Sequence, residues 1–352
     1  MLSGEPSRTA ALREHLLAGQ VIPAHPLALT ARRTLDEEQQ RGLTRYYIDA
    51  GAGGVAVAVH TTQFEIRRPA HALLRPVLEL AADASRERRA TGAMPFVLVA
   101  GAIGDTRQAV AESELAASLG YDMVLLSLGA MRNASDDALI AHCRAVSEVL
   151  PLFGFYLQPA VGGRVLGYDF WRRLAENERV WAIKIAPFNR YRTLDVVRAV
   201  ADAGRDDLAL YTGNDDSILL DLLTPFPVRS ANGGGVRHIV GGLLGQWAVW
   251  TRGAVRLLER VRAVRDGSAS RGELRELLRL NAALTDANAA IFDAAHDFAG
   301  CIPGIHEVLR RDGLLEGTWC LDPAETLSPG QLAAIDRVER EYGTVLGDRA
   351  GS

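Results

Sequence analysis

A single lysine has the most distinctive chemistry in this sequence. Lysine and arginine together number 39, and 38 of these are arginine, so Lys184 is the only lysine. Arginine stays protonated in proteins, whereas a buried lysine can lose its proton and attack a carbonyl carbon to form an imine. Lys184 stands between Ile183 and Ile185, and burial of this apolar run would lower the pKa of its amine. The sequence therefore predicts Schiff-base chemistry at Lys184.

Other polar residues stand where short apolar runs end. Tyr156 offers a phenol that could move protons during imine chemistry. Thr61 and Thr62 offer hydroxyl and backbone N–H groups that could hold a carboxylate. The further candidates for substrate contact are His25, His60, Gln158, Thr212, Gly213, Asn214, Arg237 and His238.

These residues need a fold in which the ends of strands converge. Apolar runs alternate with longer amphipathic segments, which is typical of βα units around a parallel sheet. The predicted strands cover residues 21–29, 55–59, 96–100, 123–127, 153–157, 180–185, 208–212 and 236–240. Eight such units in about 230 residues predict a (β/α)8 barrel, in which the C-terminal ends of the strands form the active face. A doubly wound open sheet is the alternative, but no G-x-G-x-x-G follows the first strand.

The barrel does not account for the whole chain. We expect an N-terminal extension over residues 1–16, the barrel over 17–245, a C-terminal helical domain over 246–345 and a tail over 346–352. Helical periodicity covers residues 271–298, and a second helix is predicted over 329–342. Trp247 and Trp250 stand at helical spacing and are predicted to pack in the core.

The composition narrows the possible partners and location. The formal net charge is −4, so bulk charge favours neither nucleic acid nor an anionic membrane as a partner. The imine chemistry predicted at Lys184 instead points to a small carbonyl compound as the partner. Three cysteines, no apolar leader and no long uncharged apolar stretch predict a cytoplasmic protein without a disulfide framework. Cys301, His306 and Cys320 could be interpreted as a metal cluster, but their spacing fits no zinc pattern.

Several motifs in order resemble the dihydrodipicolinate synthase / N-acetylneuraminate lyase family of pyruvate-type aldolases. Thr61-Thr62 resembles the threonine pair after its second strand, and Tyr156-Leu-Gln-Pro159 resembles its Tyr-Asn-x-Pro motif. Ile183-Lys184 resembles its lysine motif, and the 28-residue step from position 156 to 184 is the spacing that the family uses. Residues 99–106 and 308–323 resemble its glycine-rich turn and its C-terminal pattern, so the likeness runs from about residue 17 to 345.

The resemblance implies a role for each of these residues. Lys184 would form the imine with a 2-oxo acid, and Tyr156 would be the proton shuttle. Thr61 would link Tyr156 into a hydroxyl relay, and Thr62 would grip the substrate carboxylate. The resemblance also implies a homo-oligomer, dimer or tetramer, that uses no metal or organic cofactor.

The sequence also departs from the family pattern. His60 replaces the glycine before the threonine pair, and Leu157 replaces the asparagine after the tyrosine. Val161 stands where the synthases have a substrate-binding arginine, and Arg164 is displaced from that position. The lysine and the resemblance predict a lyase, either aldolase or dehydratase, and these departures predict that it is not a true dihydrodipicolinate synthase. The alternatives are a non-catalytic sensor of oxo acids or sugar acids, and a metal-dependent lyase using His25 and His60.

Overall fold

The described part of the chain contains ten strands. The computed structural model describes residues 8–90, 95–230 and 233–347, so residues 1–7 of the predicted extension and 348–352 of the predicted tail lie outside it. The strands are β1 (Val21–Pro23), β2 (Gly54–Val57), β3 (Val97–Ala102), β4 (Met123–Leu126), β5 (Leu152–Leu157), β6 (Val180–Ala186), β7 (Ala209–Thr212), β8 (Phe226–Ser230), β9 (Gly233–Arg237) and β10 (Gly241–Leu244).

Eight of these strands form the predicted barrel. All pairings in the order β1-β10-β7-β6-β5-β4-β3-β2 are parallel. A parallel bridge between Ala24 and Ala56 then joins the β1 side to the β2 side and closes the sheet. The prediction of a (β/α)8 barrel with C-terminal helices is confirmed, and the open sheet is excluded.

The eighth barrel strand is not where the sequence predicted it. Residues 236–240 overlap β9, which pairs antiparallel with β8 in a separate hairpin, and the barrel strand is β10. Glycine is a poor strand former, yet β10 begins with Gly241 and Gly242 because other groups approach closely there. A Cβ at Gly241 would lie 2.5 Å from the Gln20 backbone, and one at Gly242 would lie 2.7 Å from the Trp247 ring.

Twelve helices accompany the strands in the described ranges. They are α1 (Arg8–Leu17), α2 (Glu37–Asp49), α3 (Leu74–Ala90), α4 (Thr106–Ser118), α5 (Asp136–Ser147), α6 (Tyr168–Ala175), α7 (Arg190–Asp202), α8 (Ile218–Leu223), α9 (Thr251–Arg265), α10 (Arg271–Ile291), α11 (Cys301–Arg311) and α12 (Gln331–Leu346). Asp36, Asp105, Ser135 and Asn189 cap α2, α4, α5 and α7 by accepting hydrogen bonds from backbone N–H groups. Strand β1 is shorter than predicted and ends at Pro23, whose ring nitrogen cannot donate to a ladder.

Two hydrophobic cores form because alternate strand residues face opposite sides of the sheet. The barrel interior contains Phe153, Ala182 and Tyr211, together with Leu12 and Leu16 of α1. Helix α1 therefore closes the N-terminal end of the barrel, leaving the C-terminal end for a site. The larger core lies between the strands and the outer helices, and it includes Trp247 and Trp250, as predicted.

Within the described ranges, no helix combines the length and apolar character that a membrane span would require.

Candidate active site

Lys184 lies on the inner face of the barrel, near the C-terminal end of β6. Its neighbours Ile183 and Ile185 point into the outer core, so strand alternation turns Lys184 inward. Its partners on adjacent strands are Phe155 and Tyr211. The side chain is partly buried, and its Nζ lies 4.6 Å from the centre of the Phe155 ring. The amine therefore stands at the inner wall of the barrel mouth, between aromatic side chains.

A cleft opens above this lysine, between the strand ends and the C-terminal helices. The space between its walls amounts to about 700 Å³, a figure that includes the part open to solvent. Its apolar wall includes Leu125, Phe155, Leu157, Phe188, Phe292 and Phe298. Its polar side chains, among the described lining residues, are His60, Thr61, Gln158, Lys184, Asp215 and Cys301.

Asp215 is the acidic group that faces the amine. It follows β7, and burial raises the pKa of its carboxyl, while the charge of Lys184 opposes that rise. Burial lowers the pKa of Lys184, and the Asp215 carboxylate opposes that fall. Oδ1 of Asp215 is buried and has no hydrogen-bond partner among the described residues. A buried acceptor without a donor is unfavourable, so this oxygen is suited to a donor from a ligand.

Gly213 makes room for the lysine side chain. A Cβ at this position would lie 2.6 Å from Cε of Lys184 and 2.8 Å from Cβ of Ala186. Its amide N–H donates to the Ile185 carbonyl across 2.7 Å, which ties the end of β7 to β6. Gly213 therefore lines the cleft, and because it has no side chain it leaves space for that of Lys184.

His60 and Thr61 reach the cleft from a turn after β2. The chain bends at Ala58, whose φ of 62° is unusual for a residue with a Cβ, and then forms a 3-10 helix over His60–Thr62. Burial and the nearby charge of Lys184 lower the pKa of His60 to about 4, so its imidazole is neutral at pH 7. The Thr61 hydroxyl donates to the carbonyl of His25 at 3.2 Å. Both residues line the cleft, as does Gln158.

Tyr156 does not face Lys184, contrary to the sequence prediction. Its ring lies on the outer side of β5, 5.1 Å from the Trp171 ring, and its hydroxyl oxygen accepts from the Leu166 N–H at 3.2 Å. Phe155 occupies the inner position instead. The reason is a register shift: Leu152 pairs with Val180, but the next residue, Phe153, pairs with Ala182. A one-residue slip exchanges the faces of a strand, so the predicted relay from Thr61 to Tyr156 does not form.

Two other predicted contacts, His25 and Thr62, also lie away from the cleft. His25 is fully buried, with Nδ1 2.7 Å from the Pro26 carbonyl and Nε2 2.9 Å from the Thr44 hydroxyl. The Thr62 hydroxyl donates to the His25 carbonyl at 2.6 Å. Neither side chain lines the cleft. Thr62 joins the segments after β1 and β2 through the His25 carbonyl, whereas the His25 imidazole contacts α2 through Thr44.

The remaining candidates belong to other parts of the barrel. Arg237 donates to the carbonyls of Arg205 and Leu208, near the start of β7, because β10 begins only after this residue. Arg237 and His238 therefore precede the last barrel strand rather than follow it. Thr212 and Asn214 are buried, and their side chains donate hydrogen bonds to the Asp221 carboxylate. In the described ranges, no group of three potential ligands could hold a metal, and Cys301, His306 and Cys320 do not come together as one.

Sequence reasoning missed several residues of the cleft. Asp215 directly follows the predicted triplet of residues 212–214, and its acidic side chain near a strand end was the available signal. Phe188 follows β6 by two residues, whereas Phe298 and Cys301 come from the C-terminal region. No sequence pattern placed these last two residues above the barrel.

The protein is thus a (β/α)8 barrel in which a lysine near the end of the sixth strand, β6, faces inward. The chain belongs to the dihydrodipicolinate synthetase family, whose model matches residues 18–226, more than half of the chain. A 4-hydroxy-tetrahydrodipicolinate synthase of Acaryochloris marina is 32% identical over 163 residues, which are 45% of this chain and 52% of that relative. The chain thus spans about half the length of the curated relatives that it matches.

Solved structures are similar over nearly the whole chain. A DHDPS from Cyanidioschyzon merolae with lysine bound has a TM-score of 0.73 at 20% identity, covering 94% of this chain and 99% of that one. An N-acetylneuraminate lyase from Fusobacterium nucleatum has a TM-score of 0.71 at 16% identity, covering 93% and 99%. At these identities the likeness establishes the fold.

Proposed function

We propose that this protein is a class I lyase, an aldolase or dehydratase, in which Lys184 forms an imine with a 2-oxo acid. The observation that carries this proposal is the sole lysine of the chain, placed inward at the end of β6 in a cleft beside Asp215. Burial lowers the pKa of the amine, which increases the fraction that is neutral and nucleophilic. Membership of the dihydrodipicolinate synthetase family supports the same chemistry.

The reaction begins with attack of the neutral amine on the 2-oxo carbon. The resulting carbinolamine loses water, and the iminium ion becomes an electron sink. In aldol cleavage, a base removes the proton of the 4-hydroxyl and the C3–C4 bond breaks. Its electrons pass into the iminium to give an enamine, and an aldehyde leaves. Protonation of the enamine at C3 and hydrolysis then release the shorter oxo acid and the free amine. Dehydration would use the same iminium to expel a hydroxyl group as water.

Asp215 is the group that we assign to this proton transfer. Tyr156 faces away, and the Tyr211 hydroxyl donates to the Leu16 carbonyl at the closed end of the barrel. Asp215 lines the cleft, and its pKa is raised by burial, so its carboxyl can exchange a proton near neutral pH. Its Oδ1 can accept from the substrate hydroxyl and then take its proton.

The remaining polar side chains would orient the substrate. We assign the substrate carboxylate to the Thr61 region, and contacts with the oxygens of the substrate to His60 and Gln158.

Val161 lines the cleft where the resemblance expects arginine, while Arg164 donates to the carbonyls of Met131 and Ala134. We therefore propose that the chain is not a dihydrodipicolinate synthase.

Reductive trapping tests the proposal. Borohydride is added with pyruvate, and intact mass followed by peptide mapping locates the adduct. We expect one reduced pyruvate on Lys184, whose assignment is simple because the chain has no other lysine. Lys184→Met is the matched control, since methionine keeps the apolar stem without the amine, and it should not be labelled.

The absence of an adduct with pyruvate and with longer 2-oxo acids would exclude the imine mechanism. Equal labelling of Lys184→Met would assign the adduct to the N-terminal amine, with the same consequence. A protein that binds these acids without being labelled would instead be a sensor.

A further inference from the structure

The cleft is apolar beyond its reacting end. Its polar side chains among the described lining residues are Lys184, Asp215, Thr61, His60, Gln158 and Cys301, and the rest of that lining is predominantly carbon. No arginine lines the cleft in the described ranges. A second carboxylate or a row of hydroxyls on the substrate would thus be desolvated with few partners, at about 1–3 kcal/mol for each unpaired group.

An aromatic pair forms the outer wall. Phe188 comes from the loop after β6 and Phe298 from the turn between α10 and α11, and their ring centres lie 6.2 Å apart in an edge-to-face contact. Both are partly exposed to the cleft. Edge-to-face geometry is favourable for aromatic rings, so the pair offers a surface on which a further ring could pack.

Both phenylalanines have backbone conformations that are unusual for their type. Phe188 has a φ of 50° and Phe298 a φ of 68°. Such conformations are unfavourable for residues with a bulky side chain and persist where the surroundings hold them. The Phe188 N–H donates to Oδ1 of buried Asn214 at 2.9 Å, which fixes this turn beside the loop that follows β7 and carries Asp215. The aromatic wall is therefore preformed.

The C-terminal helices complete the apolar wall. A Cβ at Gly245, just after β10, would lie 3.5 Å from Cζ of Phe292 and 3.6 Å from Cδ1 of Ile305. Phe292 and Ile305 thus reach the barrel mouth from α10 and α11, and both are buried. They contribute carbon surface to the lining of the cleft.

We infer that the substrate carries an apolar, preferably aromatic, substituent on the far side of the bond that is broken. This inference rests on the proposed imine mechanism and specifies its substrate class: a 4-hydroxy-2-oxo acid with an aryl group at C4. Cleavage would give pyruvate at Lys184 and an aromatic aldehyde in the apolar part of the cleft. The aryl ring would pack against Phe188 and Phe298, and the 4-hydroxyl would donate to Asp215.

Comparative cleavage assays test this substrate class. Pyruvate release is measured from 4-hydroxy-2-oxo-4-phenylbutanoate, from 4-hydroxy-2-oxoglutarate and from a 2-oxo-3-deoxyhexonate. We expect kcat/KM for the phenyl compound to exceed the values for both other compounds by at least about 30-fold. Apolar pockets distinguish substrates that differ by a few carbon atoms by factors of this size. Competition with pyruvate for trapping at Lys184 is measured in parallel.

The outcomes separate this inference from the mechanism. Equal or better cleavage of a polar compound, with pyruvate still trapped, overturns the apolar substrate class and leaves the imine mechanism standing. A phenyl compound that is neither cleaved nor competes with pyruvate also overturns it. Failure to trap any oxo acid instead overturns the proposed function itself.

Variants of the aromatic wall provide the structural test. Phe188→Asn removes the ring but keeps a residue type that tolerates a positive φ, and it should lower the preference for the phenyl compound about tenfold. Phe298→Asn should do the same and serves if the first variant folds poorly. Tyr191→Ala is the control, because Tyr191 is 84% exposed in the same region and should leave the preference unchanged. An unchanged preference in both folded asparagine variants would contradict the proposed aromatic contact.

Discussion

At the scale of single residues, Lys184 and Asp215 determine each other's protonation. Burial favours the neutral form of both groups, while each charge favours the charged form of the other. The two pKa values therefore move toward each other, and a proton can pass between the groups or through a substrate near neutral pH. In the proposed mechanism, the pair combines a nucleophile with an acid–base group at one site.

Replacing Asp215 by asparagine separates these two functions. Trapping of pyruvate should increase with pH as Lys184 loses its proton. The Asp215 carboxylate raises the pKa of Lys184, so Asp215→Asn should move this increase to lower pH. Aldol cleavage should fall by at least about 10²-fold, because the proton acceptor is missing. The measurements are the pH profile of trapping and the rate of pyruvate release.

Tyr156→Phe is the corresponding control for the tyrosine. Its hydroxyl accepts a backbone hydrogen bond outside the cleft, so its loss should reduce the free energy of unfolding by about 0.5–1.5 kcal/mol. Cleavage should stay within about twofold of wild type, since the group lies away from the amine. Loss of cleavage in Tyr156→Phe with retention in Asp215→Asn would reverse the assignment.

At the scale of elements, the C-terminal helices hold the loop after β7, which carries Asp215, in place. Asn288 of α10 donates to the Asp215 carbonyl at 2.7 Å, and Thr285 donates to the Asp216 carbonyl at 2.9 Å. Gln331, at the start of α12, donates to the carbonyls of Ile291 and Gly300, and so joins the end of α10 to the start of α11. The position of Asp215 thus depends on helices that lie outside the barrel.

Close contact between α10 and α11 depends on Gly304. A Cβ there would lie 1.9 Å from the Ile291 carbonyl oxygen and 2.6 Å from Nε2 of Gln331. Gly304→Ala should therefore lower the free energy of unfolding by about 1–3 kcal/mol, because the end of α10 and helix α11 must move apart to accommodate the added methyl group. Denaturant unfolding measures the change.

Gly343→Ala is the matched control for this contact. Gly343 lies in α12, and a Cβ there would have open space around it, with no other part of the described chain within 4 Å. Alanine should stabilise the protein there by about 0.5–1 kcal/mol through its higher helix propensity. Similar effects of the two substitutions would argue against the close packing of α11.

At the scale of the whole molecule, the barrel and the C-terminal helices share one hydrophobic core. Leu43 and Trp171 of the barrel helices belong to the same cluster of buried residues as Leu257, Leu280 and Ile335 of the C-terminal helices. The predicted boundary near residue 245 therefore divides the chain in sequence, while the apolar packing is continuous across it.

A shared core predicts a single unfolding transition. Far-ultraviolet circular dichroism reports on all helices, and fluorescence reports on Trp171 as well as on Trp247 and Trp250. We expect the two signals to give the same denaturant midpoint, because loss of either part exposes the core of the other. Two separated midpoints would show that the C-terminal helices unfold independently.

The sequence by itself determined the architecture and singled out the amine to which the proposed function assigns the reaction. Alternating apolar runs and amphipathic segments predicted six barrel strands to within two residues at each end, and the first strand began where predicted but ended six residues earlier. Period and length are local properties, which is why the sequence reveals them. The lone lysine identified the amine, and a glycine next to it in the fold, Gly213, was among the predicted contacts. The eighth strand was wrong, because its glycines are required by tertiary contacts that no local pattern reveals.

Only the tertiary structure decided which side chains meet the amine. A register shift between β5 and β6 turns Phe155 inward and Tyr156 outward, and nothing in the spacing of 28 residues distinguishes the two faces. Asp215 becomes the partner of Lys184 because β7 lies beside β6 in the sheet. Phe292, Phe298 and Ile305 reach the cleft because α10 and α11 pack over the barrel mouth. Strand register and helix docking depend on contacts distant in sequence, so they select the chemistry around a lysine that the sequence alone had identified.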